Sequence, residues 1–177
     1  MAILIAFYSR AGVNYFGGTY RRVAAGNTEK AAEMLSRLTG GELLRIDTAV
    51  PYSGSYDDVV EQGQREVEHG YEPELKPVGA DIAGYDVIAV GTPTWWYTMA
   101  PAVRTFLHQN ELRGKTVVPF MTNGGWPGHV IKDMKALCPG ADAVCEMQVK
   151  FDSNGGDRLE TPESKIEAWA QSVKALL

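Results

Sequence analysis

The chain is poor in the residues that form disulfides and metal sites. Its 177 residues include two cysteines and three histidines: Cys138, Cys145, His69, His108 and His129. The cysteines form neither a C-x-x-C pair nor another metal-ligand spacing, and the histidines are scattered. We therefore expect a cytoplasmic protein without a metal site, because free thiols persist in reducing compartments.

Long apolar runs and clustered positive charge are also missing. The apolar start of the chain ends at Tyr8-Ser9-Arg10, which is too early for a signal sequence or a membrane span. The formal net charge is -5, whereas nucleic-acid-binding proteins usually carry clustered Lys and Arg. We expect neither a membrane nor a nucleic-acid partner. The length and the 45% of hydrophobic residues predict a single folded domain over residues 1–177.

Three familiar signatures of α/β proteins are absent. There is no G-x-G-x-x-G after the first strand-like segment, which argues against a dinucleotide-binding Rossmann unit. There is no G-x-x-x-x-G-K-[ST], which argues against a phosphate-loop NTPase. Tyr8-Ser9-Arg10 stands where a response-regulator receiver would carry its acidic pair.

What the chain does have is a regular alternation of strand-like and helix-like segments. Apolar runs predict strands, and apolar residues at helical spacing predict helices. The predicted strands are residues 3–7, 43–46, 87–90, 116–121 and, at an edge, 144–151. The predicted helices begin near Asn27, Tyr56, Pro101, Val130 and Thr161-Pro162, with Thr161 as an N-cap. Five such units predict a parallel five-stranded sheet with helices on both faces.

The second helix, the long crossover and the segment after the first strand carry further expectations. Glu61, Arg65, Glu66 and Glu68 are expected on the solvated face of the second helix. Residues 71–85 are expected to form a long crossover. Residues 11–26 interrupt the alternation, and Gly17-Gly18 would permit a reversal packed by nearby aromatic side chains, so we expect an ordered flap. A solvated loop is the alternative.

Polar loops follow the first, third and fourth predicted strands, and such loops meet at the ligand-binding edge of an open α/β sheet. The first loop offers a helix start for a phosphate group, although these residue types are also common helix caps. The second offers an aromatic wall for a flat ligand or, alternatively, ordinary packing. The third offers glycines that permit close backbone approach or form a plain turn. In chain order the candidates are Ser9, Arg10, Gly26, Asn27 and Thr28; Pro93, Thr94, Trp95, Trp96 and Tyr97; and Thr122, Asn123, Gly124, Gly125 and Trp126.

A phosphate site, an aromatic wall and a glycine-rich polar loop together suit a phosphorylated flavin. The chain resembles the flavodoxin family in FYSR…GNTEKAA over residues 7–32, VGTPTWWYTMAPAVRTFL over residues 90–107 and MTNGGWPG over residues 121–128. The resemblance implies a flavodoxin-like three-layer α/β sandwich of strand order 2-1-3-4-5, of the short-chain type, with FMN as cofactor. It also implies that Ser9, Asn27 and Thr28 hold the phosphate. The loops at residues 93–97 and 122–126 would flank the isoalloxazine ring.

The resemblance implies a redox protein in which the flavin does the chemistry, so no side chain is expected as catalytic acid, base or nucleophile. We expect an FMN-binding electron-transfer protein that docks with a redox partner protein. The alternative is an NAD(P)H-dependent quinone or flavin oxidoreductase that uses a small acceptor, with the flap of residues 11–26 shaping its pocket. A flavin-free binding module with the same fold is a third possibility.

Overall fold

Helices cover a central, mainly parallel sheet on both faces. The structure is a computed structural model that describes residues 2–152 and 156–177. Its strands are β1 (Ile3–Phe7), β2 (Gly12–Phe16), β3 (Thr19–Val23), β4 (Glu42–Arg45), β5 (Val87–Trp95), β6 (Thr98–Met99), β7 (Thr116–Asn123), β8 (Asp142–Ala143) and β9 (Met147–Lys150). Its α-helices are α1 (Asn27–Thr39), α2 (Tyr56–Glu68), α3 (Pro101–Gln109), α4 (Val130–Ala136) and α5 (Glu163–Lys174).

The sheet has the strand order that the family resemblance implies. Its path is β4-β1-β5-β7-β8, and β9 also pairs with β7 in parallel. Every residue of β1 is buried, because one face lies under α1 and α5 and the other under the cluster that includes α3 and α4. Strands buried on both faces must be apolar throughout, which explains the unbroken run at Ile3–Phe7. The flavodoxin-like fold and the 2-1-3-4-5 order are confirmed.

The third strand of that order is longer than predicted. We expected it to stop at Val90, but β5 runs on to Trp95 and then turns back into β6. Gly91 does not end the strand. A Cβ there would come within 2.1 Å of the Phe120 ring, so this glycine marks a close approach between β5 and β7.

The prediction of one continuous edge strand over residues 144–151 is wrong. The chain pairs with β7 as β8, leaves the ladder at residues 144–146, and returns as β9. Cys145 lies in this break with a left-handed φ of 52°, and its carbonyl accepts a hydrogen bond of 2.6 Å from Trp169 Nε1. A side chain of α5 therefore binds the backbone at the interruption.

Two side chains have roles other than those predicted. Thr161 does not cap α5, whose N-cap is Pro162; its hydroxyl instead accepts a 2.7 Å hydrogen bond from the Lys150 N–H at the end of β9. Glu66 is not solvated but 8% exposed. It accepts hydrogen bonds from the Tyr52 hydroxyl at 2.6 Å and from Gln62 Nε2 at 2.7 Å, which satisfies the buried carboxylate.

The insertion after β1 is an ordered β-hairpin, as expected. Strands β2 and β3 pair in antiparallel register, and the tip turns at Gly17 and Gly18, with φ values of 56° and 93°. Two left-handed residues in a two-residue turn favour glycine, and this turn matches the twist of the flanking strands. The long crossover of residues 71–85 contains a 3-10 turn at Ile82–Gly84 and a bridge from Thr48 to Leu75.

Over the part of the chain that the structure describes, no helix combines the length and the apolar character that crossing a bilayer requires.

Candidate functional site

A cavity of about 1030 Å³ opens at the carboxyl edge of the sheet, where the loops after β1, β5 and β7 meet. The structure brings all the predicted site residues except Gly125 to its wall. They are Ser9, Arg10, Gly26, Asn27, Thr28, Pro93, Thr94, Trp95, Trp96, Tyr97, Thr122, Asn123, Gly124 and Trp126. Gly125 shapes the third loop instead, since its N–H donates to Asn123 Oδ1 at 2.8 Å.

One end of the cavity is the start of α1, which has no capping side chain. Gly26 is the N-cap, and the first N–H of the helix with a backbone partner is that of Lys30, bonded to the Gly26 carbonyl. Ser9 Oγ and Asn27 Oδ1 lie beside this helix start, buried and without a partner in the described structure. Uncapped N–H groups at a helix N-terminus attract anions, and buried polar atoms normally have partners. This end therefore has the chemistry of a phosphate site.

The two halves of this phosphate site meet despite the inserted hairpin. A Cβ on Gly26 would lie 2.4 Å from Ser9 Oγ and 2.6 Å from the Arg10 carbonyl oxygen, so only glycine fits there. The buried hydroxyls of Thr28 and Thr122, 2.7 Å apart, join the start of α1 to the end of β7. The site is therefore a closed cradle formed by three segments of the chain.

The aromatic wall is a tight turn in an unusual conformation. Trp96 and Tyr97 are the two central residues between β5 and β6, with φ values of 49° and 66°. Left-handed backbone is costly for such large side chains. Trp96 Nε1 donates to the Val60 carbonyl at 2.9 Å, and the Tyr97 carbonyl accepts from the His129 N–H at 2.8 Å. These bonds hold two half-exposed rings at the cavity.

Trp95 and Trp126 are placed differently from that pair. The centroid of the Trp95 ring lies 5.9 Å from that of Tyr8 and 5.4 Å from that of Tyr52. A Cβ on Gly63 would come within 2.4 Å of Trp95 Nε1, so α2 packs directly on the indole. Trp126 is 70% exposed on the opposite loop. Trp95 therefore supports the wall from behind, while Trp126 presents a ring at the cavity mouth.

Sequence reasoning missed part of the lining. Tyr56, Val59 and Val60 of α2 also face the cavity, as does Asp152 after β9. Residues 14–18 of the hairpin line it too, within the segment that was expected to shape a pocket. The apolar face of α2 was visible in the sequence, but periodicity cannot distinguish core packing from cavity lining. A single Asp after a strand gives no signal at all.

The charged and phenolic groups around the cavity are partly desolvated. Burial lowers the pKa of Arg10, although the neighbouring Tyr8 and Tyr56 oppose this change. Burial raises the pKa of Tyr8 and of Tyr56, and in both cases the charge of Arg10 acts in the opposite direction. The tyrosines therefore stay neutral and can donate hydrogen bonds at ordinary pH.

A family model for flavodoxin matches residues 3–160 of this chain. The chain belongs to the flavodoxin family. No curated protein matches it. Among solved structures, a flavoprotein from Bacteroides eggerthii is 29% identical, with a TM-score of 0.72 and 97% of each chain covered. A flavoprotein from Bacteroides uniformis is 22% identical, with a TM-score of 0.73 and coverage of 96% of this chain and 97% of that one.

The family resemblance read from the sequence is therefore confirmed. A flavoprotein from Lactobacillus acidophilus, solved in complex with FMN, has a TM-score of 0.66 at 18% identity, with 96% of this chain and 98% of that chain covered. At 18% identity, the similarity shows a shared fold. This flavodoxin's own residues fit FMN, because its cradle offers the unpartnered Ser9 hydroxyl and the free N–H groups of the α1 start for a phosphate, and its cavity has aromatic walls.

Proposed function

We propose that this flavodoxin binds FMN and transfers electrons. The observation that carries the proposal is the cradle at the start of α1, where Ser9 Oγ and Asn27 Oδ1 are buried without partners. Leaving a buried polar group unsatisfied costs about 1–3 kcal/mol, so such atoms indicate a missing ligand. The aromatic turn at Trp96 and Tyr97 lines the same cavity.

Different residues of the cavity would bind the phosphate end and the ring end of FMN. The Ser9 hydroxyl and the backbone N–H groups of Asn27, Thr28 and Glu29 would donate to the phosphate. Asn27 Nδ2 already donates to the Gly156 carbonyl at 3.2 Å, so its Oδ1 would accept from a ribityl hydroxyl. Residues 93–97 and 122–126 would flank the isoalloxazine ring, which supplies the redox chemistry when bound.

The cavity walls would control the environment of the flavin. Aromatic side chains and buried backbone exclude water, which disfavours added negative charge and so lowers a reduction potential. The turn at Trp96 and Tyr97 is held by its hydrogen bonds to Val60 and His129. This wall needs little rearrangement to bind a ligand, and no side chain is required to act as an acid, a base or a nucleophile.

A second candidate function is an NAD(P)H-dependent oxidoreductase with a small quinone or flavin acceptor. The specific observation that favours it is the extra lining from residues 14–18 and from α2. These residues lie outside the three loops that would hold FMN, so the cavity has room beside the cofactor. An electron carrier that only docks with other proteins does not need this room.

A steady-state assay of the FMN-loaded protein tests the two functions. NADH and NADPH serve as donors, and menadione and cytochrome c serve as acceptors. For the carrier we expect slow oxidation of the nucleotides that a flavodoxin reductase accelerates. Rapid turnover without a reductase supports the oxidoreductase. A protein that shows no electron transfer in either arrangement, although loaded with FMN, contradicts both.

A further inference from the structure

The first turn of α1 carries an acidic side chain, Glu29, at the helix end that would bind a phosphate. Gly26 is the N-cap, so Glu29 is the third residue of the helix. From this position a glutamate can reach back to the N-cap N–H and accept its hydrogen bond, as in a capping box. The positive end of the helix dipole attracts the carboxylate as well. A carboxylate bound there would occupy the N–H groups that the phosphate needs.

The Glu29 side chain is bound elsewhere, by Arg45 at the end of β4. Arg45 Nη1 donates a 2.8 Å hydrogen bond to Glu29 Oε2, and the two form an ion pair. The Glu29 side chain is 21% exposed, so this pair is partly shielded from water. No side chain caps the start of α1. The carboxylate that could close the helix end is therefore held by a neighbouring strand instead.

The same guanidinium group also binds the other half of the cradle. Arg45 Nη2 donates to the Ser9 carbonyl at 2.7 Å, and Arg45 Nε donates to Asp47 Oδ1 at 3.2 Å. The hydroxyl of Ser9 is the buried, unpartnered group beside the start of α1. A guanidinium is planar and offers its donors in a fixed fork. One side chain can therefore fix both Ser9 and Glu29 relative to the helix start.

We propose that Arg45 is a positioning residue of the phosphate site, which keeps the Glu29 carboxylate away from the free N–H groups of α1 and fixes Ser9 beside them. The inference rests on the proposed binding of FMN, whose phosphate would bind where Glu29 is kept from binding. Arg45 is not among the described residues that line the cavity. It therefore acts through Ser9 and Glu29, and not by contact with the ligand.

Arg45 is itself held firmly before any ligand binds. In the ladder between β1 and β4 it lies opposite Phe7, and its guanidinium carbon is 5.9 Å from the centroid of the Phe7 ring. Burial acts to lower the pKa of Arg45, but the hydrogen bond to Glu29 and the charges of Glu29 and Asp47 together raise this pKa above its usual value. The side chain stays charged, so it can restrain Glu29 at any ordinary pH.

The charge of Arg45 would favour a phosphate even without this restraint, and Asp47 separates the two effects. Asp47 bonds to the same guanidinium as Glu29 but follows β4 and lies outside α1. If only charge matters, neutralising either carboxylate should compensate for the loss of Arg45. If Arg45 restrains Glu29, only the neutralisation of Glu29 should do so, because Asp47 is not on the helix whose N–H groups are at stake.

The test is a calorimetric titration of apoprotein variants with FMN and with riboflavin. We expect Arg45→Gln to weaken FMN binding about tenfold and riboflavin binding less than about twofold, because only FMN carries the phosphate. Adding Glu29→Gln to this variant should restore most of the FMN affinity, whereas adding Asp47→Asn should restore less than about twofold. Glu29→Gln in the wild-type background completes the cycle, and it should raise FMN affinity less than it does beside Arg45→Gln.

Denaturant unfolding checks that each variant is folded. If Arg45→Gln does not fold, Arg45→Lys takes its place; it keeps the charge, but a single ammonium lacks the fork that binds both groups, so a smaller loss with the same recovery is expected. Unchanged FMN affinity, equal losses for the two flavins, or equal recovery with the two second substitutions overturns the positioning role, while the proposed function stands. Failure of the wild type to bind FMN overturns the proposed function and this inference together.

Discussion

Tyr97 occupies a backbone position that favours glycine, with φ at 66° and a side chain that is 55% exposed. Its ring is not needed to fill the core, yet left-handed backbone costs a non-glycine residue about 1–2 kcal/mol. Gly128 allows the close approach that fixes this turn, since a Cβ there would lie 2.1 Å from the Tyr97 carbonyl oxygen. Strain at a cavity wall points to a ligand contact made by the strained residue.

Tyr97→Gly should therefore stabilise the apoprotein and weaken FMN binding. We expect the free energy of unfolding to rise by about 1 kcal/mol, after the greater chain entropy of glycine is counted. Tyr97→Ala is the matched control, because it removes the ring but keeps the strain and should weaken FMN binding without the gain in stability. Denaturant unfolding and FMN titration of both variants give the two quantities. A glycine variant that is less stable and binds FMN as tightly as the wild type would contradict this role.

Ser9 offers a second prediction, because its hydroxyl is buried and unpartnered without a ligand. Ser9→Ala should reduce FMN affinity by about tenfold to a hundredfold, the value of a hydrogen bond to a charged group. The stability of the apoprotein should not fall, since an unsatisfied polar atom is removed. Riboflavin, which lacks the phosphate, should bind both proteins equally.

Thr28→Val is the control for Ser9→Ala. It breaks the hydroxyl pair with Thr122 and should destabilise the apoprotein by about 1–3 kcal/mol, because it leaves Thr122 unsatisfied. If instead Ser9→Ala destabilises the protein and leaves FMN affinity unchanged, Ser9 is structural, and the phosphate assignment loses its main support.

Among the secondary-structure elements, the hairpin depends most on its attachments. A two-stranded hairpin is marginal alone, and β3 is largely exposed while β2 is mostly half-buried. Tyr20 joins it to Asp57 at the start of α2, and Arg21 forms a 2.7 Å ion pair with Asp157. Arg21 and Lys30 together hold the pKa of Asp157 below its usual value. Exposed pairs contribute little individually, so the tyrosine rings that pack between the hairpin and α2 must supply much of the anchoring.

Replacing residues 13–25 with a short turn should leave the FMN affinity within about threefold of the wild-type value. No cradle residue is removed, and the free energy of loop closure changes by only about 0.6 kcal/mol per twofold change in length. The reaction with pyridine nucleotide or with small acceptors should change, since residues 14–18 line the cavity. Stopped-flow rates of flavin reduction and reoxidation measure this. Tyr20→Phe serves as the control that keeps the hairpin and its cavity lining. If the deletion leaves every rate unchanged, the hairpin plays no part in electron transfer, and the carrier function gains support.

The elements also show where sequence reasoning stops. Helix α1 begins at Asn27, as predicted, because its apolar spacing is a local signal, and it ends before Gly40, where φ is 78°. The end of β5 and the break between β8 and β9 were not, since both depend on distant partners: the Phe120 ring against Gly91 and Trp169 Nε1 against the Cys145 carbonyl. Glu66 was misplaced for the same reason, because Tyr52 lies outside its helix.

For the whole molecule, the alternating pattern was enough to predict a parallel sheet covered by helices on both faces. Parallel strands covered by helices on both faces can be connected in few topologies. The strand order of the sheet therefore followed from the family resemblance and the alternating pattern together. The loops that gather at the carboxyl edge were also predictable, because topology alone places them there. The lining from α2 and the hairpin was not predicted in full, since it requires the packing of one element on another. The roles assigned to the individual site residues stay predictions.

One measurement tests the central claim most directly: calorimetric titration of the apoprotein with FMN and, separately, with riboflavin. The cradle at Ser9 and the start of α1 predicts one FMN per chain, bound at least about tenfold more tightly than riboflavin, because only FMN supplies the phosphate. The preference should shrink in Ser9→Ala. Equal affinity for the two flavins, or no binding of either, would contradict the claim that this cavity is a phosphate-anchored flavin site.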